Sequence, residues 1–148
     1  MLQANGFFGA KGISGRIPEG YTHLEQRFWN SIVASNRQWQ NNHGVQLHEW
    51  SRDGWTYHAK GLWVSPSLGE LPVLTLFGSS NLNSRSANLD TELSFVMVIP
   101  EDDKCKSIKQ DLAEELARLR KFAVQWQGND RNVRITTKWL VSLVGGML

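Results

Sequence analysis

An α/β fold, with a mixed sheet flanked by helices, is predicted for this chain by two features of its sequence. Short segments rich in branched and aromatic residues, such as 72–77 and 93–99, have the composition of buried strands. Longer segments, such as 18–40 and 102–123, repeat apolar residues every three or four positions, as amphipathic helices do. With 148 residues and 41% hydrophobic content, the chain is long enough for one globular domain.

The first helix is predicted from Pro18, a residue suited to a first helical turn, to about Gln40. Its apolar face comprises Tyr21, Leu24, Phe28 and Ile32. The helix is expected to end at Asn41, Asn42 and Gly44, since such residues favour turns.

A second helix is predicted after Asp102 and Asp103. Basic residues such as Arg118 lie near its C-terminal end, where the helix dipole favours positive charge. Its apolar face comprises Ile108, Leu112, Leu116, Leu119 and Ala123. Near the end of the sequence we predict a short strand at 133–135 and a short helix around Trp139.

Two further strands, 45–50 and 55–64, flank the Asp-Gly turn signal at 53–54, so we predict a hairpin there. The apolar strands 72–77 and 93–99 are predicted to lie centrally in the sheet, because little polar surface interrupts them.

Composition excludes several classes of protein. The net charge is +2 and charged residues are spread along the chain, so neither a disordered tail nor the basic stripe of a nucleic-acid-binding protein is indicated. The single cysteine, Cys105, cannot form an internal disulfide and is expected to be a bystander thiol. The apolar run at 139–148 is shorter than the ~20 residues of a membrane-spanning helix.

The first residues resemble the interior of a longer protein, because neither a signal peptide nor an Arg-rich presequence is recognisable. Five glycines between positions 4 and 20 predict a loop. A phosphate-cradling loop is the less favoured interpretation, because Lys11 precedes Gly12 and the Walker spacing is absent.

Residues suited to phosphoryl transfer follow in a short interval. On a strand, His58 and Lys60 would project from one face, which places an imidazole beside an ammonium. Gly78, Ser79 and Asn81 lie where a strand ends, and they offer backbone amides and a side-chain amide to a phosphoryl oxygen.

This set of groups has a consistent chemistry. A neutral imidazole such as that of His58 attacks phosphorus or delivers a proton to a leaving oxygen. Lys60 and Asn81 supply the charge and hydrogen bonds that an oxygen-rich transition state needs, so we expect neither a metal nor another cofactor. Glu92 could accept the second N–H of the imidazole and fix its tautomer.

The order HxK, GSxN and a downstream acidic residue resembles the signature of the phospholipase D superfamily. Within it, the phrases YHAKGLW, GSSN with its downstream Arg-Ser pair, and ANGFFGAKGISGRIPEGY look like the C-terminal region of eukaryotic mitochondrial phosphatidylglycerophosphate synthases. The resemblance implies that residues 1–148 form the second phospholipase-D-like half of a longer enzyme. The first HxK half would come from the same chain or from dimerisation, because His23, His43 and His48 lack this motif.

The resemblance also implies roles for individual residues. His58 would be one of two active-site histidines, Lys60 and Asn81 would bind phosphate with help from Ser79, and Glu92 would orient a histidine. Arg85 is predicted either to contact a second phosphate or to pair with Asp90, with no preference between the two.

Two departures separate this chain from the superfamily pattern. Ser65 occupies the place of the usual Asp, five residues after Lys60, and the interval to Gly78 is longer than in the compact motif. The additional residues, 66–70, are predicted to form a surface loop.

As the resemblance implies, the enzyme converts CDP-diacylglycerol and glycerol 3-phosphate to phosphatidylglycerophosphate and CMP through a phosphohistidine. The product would supply cardiolipin synthesis in the mitochondrion, and peripheral membrane contact is expected. One alternative is a single-motif homodimeric phosphodiesterase of the same superfamily. The other is a half-domain that binds phospholipid without catalysis.

Seven tryptophans admit two interpretations. They could form an interfacial belt suited to a lipid substrate, or they could pack in the core and the hairpin. Packing is favoured, because several tryptophans alternate with polar residues on predicted strands. The tryptophans considered for either role are chiefly Trp29, Trp39, Trp50, Trp55 and Trp63.

Overall fold

The computed structural model of the chain describes residues 16–81, 84–128 and 131–144. These residues form two compact units. Unit 1 contains the described residues up to Tyr57 and from Ala123 onward, and unit 2 contains His58–Phe122. Helices and small antiparallel sheets are both present, so the predicted α/β class is confirmed.

Unit 1 begins with helix α1, Ile17–Ala34, which has Pro18 in its first turn as predicted. The helix is shorter than the predicted span to Gln40. Asn36 adopts a left-handed conformation with φ of 54°, and this conformation cannot continue a right-handed helix. The predicted glycine loop lies outside the described residues up to position 15; Gly20 belongs to α1 and is buried.

Helix α4, Ile135–Val144, packs against α1 and contains Trp139, as predicted. The contact is close at Gly20, where an added Cβ would lie 3.2 Å from Cγ2 of Val141. Trp29 is 8% exposed and Trp126 is 5% exposed, so both are buried within unit 1. The short strand predicted at 133–135 is wrong, because Ile135 already begins the helix.

An ion pair links the first turn of α1 to the start of α4. The guanidinium of Arg134 donates to both carboxylate oxygens of Glu19, with Nη2 2.6 Å from Oε2. Hydrogen bonds from Arg134 lower the pKa of Glu19 from 4.5 to about 2. The charged carboxylate therefore stabilises the fold above its unfolded-state pKa, and this contribution is lost as the pH falls from 4.5 towards 2.

We therefore expect acid to destabilise unit 1 within that pH window. Glu19→Gln should be less stable than the wild type at neutral pH and should lose this part of the acid dependence, since an amide does not titrate there. Urea denaturation at a series of pH values measures both effects. An unchanged dependence in the variant would show that Glu19 is not the responsible group.

The hairpin predicted between residues 45–50 and 55–64 is wrong. Strand β1, His48–Trp50, pairs antiparallel with strand β5, Ala123–Gln125, and not with residues that follow it directly. The turn itself is present, since Gly54 has φ of 74°. Residues 55–60 continue without strand structure, and the ring of Tyr57 packs against that of Trp50 in a tilted arrangement with ring centroids 5.0 Å apart.

Unit 2 is built on a three-stranded antiparallel sheet in the order β2-β3-β4. The strands are β2, Gly61–Val64; β3, Leu74–Gly78; and β4, Ser94–Val98. The predicted mixed sheet is wrong for the described residues, because every strand pair there is antiparallel. β3 is central as predicted, whereas β4 lies at an edge and keeps exposed apolar side chains such as Val96.

The remaining helices of unit 2 are a short α2, Ser84–Asn88, and a longer α3, Lys106–Arg120. A 3-10 turn, Asp103–Cys105, precedes α3, and the carboxylate of Asp102 accepts from the backbone of Lys104 as a helix-start residue should. Ala123 is not on the helix face as predicted, since it begins β5. None of the helices in the described ranges has the length and apolar content needed to cross a bilayer.

Candidate active site

The side chains of His58 and Lys60 meet at the entrance to β2. Nζ of Lys60 lies 3.0 Å from Nε2 and 3.4 Å from Nδ1 of His58. The prediction that the two share one site agrees with this contact, although its reason was wrong. Strand β2 starts only at Gly61, so the side chains meet through an extended loop and not through strand alternation.

The direction of this contact follows from the ammonium. An ammonium can only donate hydrogen bonds, so Lys60 is the donor and the imidazole of His58 is the acceptor. Because His58 is exposed, its side chain is accessible to an incoming group.

Gly78 is the last residue of β3, and the polar residues Ser79 and Asn81 follow it in the sequence. It pairs with Ser94 of β4, and an added Cβ would lie 2.6 Å from Cα of Ser94. No side chain fits there without moving the backbone of β4. Glycine thus allows the two strands to stay together up to the residues that carry the polar groups.

Immediately after Gly78, Ser79 holds the end of β3 to the residues before β4. Its backbone N–H donates to the carbonyl of Leu93 at 2.9 Å, and its hydroxyl accepts from the N–H of Leu93 at 3.0 Å. The same hydroxyl donates to Oε2 of Glu92. The structure therefore brings Ser79 and Glu92 together, as a shared site requires.

The second oxygen of the Glu92 carboxylate is bound by a residue that the sequence analysis did not assign. The hydroxyl of Ser86, on α2, donates to Oε1 of Glu92 at 2.7 Å. It also accepts from the backbone N–H of Asn81 at 3.2 Å and from Nδ2 of Asn81 at 3.4 Å. Its place beside Arg85 in the quoted Arg-Ser pair was the only sequence signal that could have identified it.

These hydrogen bonds keep Glu92 ionised. Donation from Ser79, followed by donation from Ser86, lowers the pKa of Glu92, and the positive charges of Lys60 and Arg85 lower it further. The charge of Lys60 thus acts on Glu92 while its Nζ contacts His58. All the predicted site residues of unit 2 are therefore joined by hydrogen bonds or by electrostatic interaction.

One predicted contact is not observed, and one of two predicted alternatives is. Within the described ranges, no hydrogen bond joins Glu92 to His58, because the carboxylate is turned towards the two serines. Arg85 donates from Nε to Asp90 at 3.0 Å. Of the two predicted alternatives, the observed one is therefore the ion pair with Asp90. Its side chain remains 58% exposed, so the guanidinium keeps further donors in solvent.

The described part of the chain contains no group of three His, Cys, Asp or Glu side chains arranged to hold a metal ion. The polar groups of the candidate site are an imidazole, an ammonium, an amide and a hydrogen-bonded carboxylate. This arrangement is suited to attack on a phosphoryl group and to charge stabilisation by fixed donors.

No protein-family model matches the chain. It is 43% identical over 117 residues to a Gallus gallus enzyme named mitochondrial CDP-diacylglycerol–glycerol-3-phosphate 3-phosphatidyltransferase, in a match that covers 79% of this chain and 20% of that enzyme. The Homo sapiens enzyme of the same name is 36% identical over 145 residues, which are 96% of this chain and 25% of that enzyme.

A Saccharomyces cerevisiae relative, named CDP-diacylglycerol–glycerol-3-phosphate 3-phosphatidyltransferase, is 29% identical over 158 residues. That match covers 98% of this chain and 30% of the yeast enzyme. The chain thus spans less than a third of the length of these relatives. The resemblance found in the sequence is confirmed: this chain is a homologue of part of the CDP-diacylglycerol–glycerol-3-phosphate 3-phosphatidyltransferases, the phosphatidylglycerophosphate synthases.

Proposed function

We propose that this chain is the second phospholipase-D-like half of an enzyme that transfers a phosphatidyl group from CDP-diacylglycerol to glycerol 3-phosphate. The observation that carries the proposal is the position of Lys60. Its Nζ contacts Nε2 of His58, and its charge acts on Glu92, which is bonded to Ser79 and Ser86. The names of the relatives support the choice of substrates.

The reaction proceeds in two displacements. In the first, an imidazole nitrogen attacks the phosphorus that bears diacylglycerol, an N–P bond forms, and the bond to the CMP oxygen breaks. A second histidine gives its proton to the departing CMP. In the second displacement, a hydroxyl of glycerol 3-phosphate attacks this phosphorus, the N–P bond to the first imidazole breaks, and the second histidine takes the proton of the hydroxyl. His58 fills one of these two roles.

Lys60 has a role before and during the first step. Its ammonium donates to Nε2 of His58 and so orients the imidazole. When the phosphoryl group arrives, the ammonium leaves Nε2 and binds a phosphoryl oxygen, so that the lone pair is released where negative charge develops. Asn81 supplies a neutral donor to the same group from the end of β3.

The partner half carries the other histidine. A single HxK motif is present, so the enzyme is completed either by another part of a longer chain or by a second copy. We place the enzyme in the mitochondrion, in agreement with the names of the Gallus gallus and Homo sapiens relatives, and in peripheral contact with a membrane that contains its lipid substrate.

The direct experiment supplies CDP-diacylglycerol and glycerol 3-phosphate to the enzyme that contains this chain and separates the products. Phosphatidylglycerophosphate and CMP are expected in equal amounts, and acid-labile phosphate on a histidine is expected after rapid quenching without acceptor. Phosphatidate formed regardless of glycerol 3-phosphate would instead identify a phosphodiesterase. Binding of CDP-diacylglycerol without any product would identify a non-catalytic half-domain.

Ser86 is proposed as a positioning residue, because it links Asn81 to Glu92 without contacting His58. Ser86→Ala removes one of the two hydrogen bonds that lower the pKa of Glu92, so that pKa rises. The acidic limb of the activity profile should then move to higher pH, and turnover should fall about tenfold. The pH dependence of CMP release measures both changes.

Two controls separate positioning from a general effect on folding. Ser86→Thr keeps the hydroxyl and should restore the profile. Ser107→Ala removes an exposed hydroxyl on α3 and should change neither turnover nor its pH dependence. An unchanged acidic limb in Ser86→Ala would show that Ser86 does not act through Glu92.

A further inference from the structure

Helix α4 carries a row of exposed apolar side chains on the face opposite its contact with α1. Ile135 is 72% exposed, Trp139 is 70% exposed and Leu143 is 82% exposed. Their spacing of four residues places them on one side of the helix. We call these three residues the α4 stripe. The buried face of α4 carries Thr137 and Val141, so the stripe is not needed for packing within unit 1.

The charge around the stripe is positive. Lys138 is the only charged residue of α4, and no acidic residue occurs in this helix. On the adjoining α1, the pKa of His23 is lowered by burial and then by the positive charges of Lys138 and Arg27, so both cations lie near His23. Among the residues that the structure describes, neither cation forms an ion pair with a carboxylate.

The surface beside Lys138 is polar. A recess of about 290 Å³ is lined by Gln26 and Asn30 of α1 and by Lys138 of α4. Amide and ammonium groups there can donate hydrogen bonds to phosphate oxygens. Apolar side chains on one side of a helix and donors for anionic groups beside them form an amphipathic surface.

We propose that the α4 stripe docks this protein on the surface of an anionic phospholipid bilayer. Ile135, Trp139 and Leu143 enter the boundary between headgroups and acyl chains, with the indole at the level that tryptophan favours. Lys138 and Arg27 remain at the level of the lipid phosphates.

A lipid surface suits these residues better than a protein partner does. The core of a protein interface is depleted of lysine, whereas interfacial helices combine apolar anchors with lysine and arginine. The choice of lipid also rests on the proposed function, because an enzyme that takes a phospholipid substrate must reach a bilayer. Docking and turnover are nevertheless separate properties and can be measured separately.

The test measures binding of the intact chain to vesicles that contain no CDP-diacylglycerol, so that its result is independent of catalysis. Vesicles of phosphatidylcholine alone are compared with an equimolar mixture of phosphatidylcholine and phosphatidylglycerol by co-sedimentation. Stronger binding to the mixture is expected, with loss of this preference at high salt.

Two variants, each with a control, assign the binding to this surface. Trp139→Ser with Leu143→Ser should lower vesicle binding at least about tenfold, because two apolar anchors are removed from the interface. Leu68→Ser, an exposed apolar residue in unit 2, is the matched control and should bind as the wild type does. Lys138→Glu should lower binding to the anionic mixture about tenfold, and Lys104→Glu should not.

Circular dichroism of each variant shows whether the fold is kept, and a folded Trp139→Phe variant provides a second measurement. Bromine-labelled acyl chains should quench wild-type fluorescence more than that of Trp139→Phe. Equal quenching, or stripe variants that bind as tightly as the Leu68 variant, would overturn the proposal. The proposal would also be overturned if the wild-type chain did not bind vesicles and instead self-associated through the α4 stripe.

Discussion

Replacement of His58 by alanine is expected to abolish CMP release by the enzyme that contains this chain, with a loss of at least about a thousandfold in turnover. Both proposed roles of this imidazole require it. As nucleophile, it forms the N–P bond; as acid and base, it serves the departing CMP and the incoming hydroxyl. The exposed position of His58 means that the substitution should leave the stability of unit 2 nearly unchanged.

The matched control is His48→Ala, which removes an exposed histidine that lacks the HxK context. Its turnover should remain within about twofold of the wild type, as expected for a surface substitution. Retention of near-normal CMP release by His58→Ala would remove the catalytic assignment of this residue. Trapping of labelled phosphatidyl on the wild-type protein, and its absence from His58→Ala, would further identify His58 as the nucleophile.

Gly78→Ala is expected to cause the largest loss of stability among substitutions at the site, about 3 kcal/mol or more. The added methyl group would lie 2.6 Å from Cα of Ser94, so the end of β3 and the end of β4 must separate. Ser79 would then lose its two backbone hydrogen bonds with Leu93, and activity should fall with stability. Urea denaturation monitored by circular dichroism measures the free energy of unfolding.

Gly69→Ala separates the effect of close strand approach from the general cost of replacing a glycine. Gly69 has φ of 87°, but nothing lies within 4 Å of an added Cβ. Its replacement should therefore cost only the conformational strain of a left-handed residue, about 1 kcal/mol. Equal losses for the two variants would contradict the argument that strand contact requires glycine at position 78.

Local features of the fold were predictable from the sequence, whereas strand pairing was not. The spacing of Ile108, Leu112 and Leu116 predicts α3 because helical hydrogen bonds join near neighbours in the chain. The Asp-Gly turn at 53–54 also forms where predicted. β1 pairs with β5, however, more than seventy positions away, and no local pattern in the residues of β1 specifies that partner.

The candidate site shows the same distinction between residue identity and arrangement. His58 and Lys60 were chosen correctly as neighbours because they are close in sequence, even though the expected strand is absent. Ser86 could not be assigned, because its importance comes from simultaneous contacts with Asn81 and Glu92. A serine near a motif has many ordinary surface roles, and only the tertiary structure separates them.

The hydroxyl of Ser79 has a single proton, which it donates in a hydrogen bond to Glu92. The hydroxyl can donate a hydrogen bond to a phosphoryl oxygen only if it stops donating to the carboxylate of Glu92. Glu92 then becomes more basic at the moment when negative charge arrives from the substrate, because the first cause of its low pKa has been removed. In the proposed reaction, substrate binding and the proton affinity of the site would thereby be linked through the rotation of one hydroxyl.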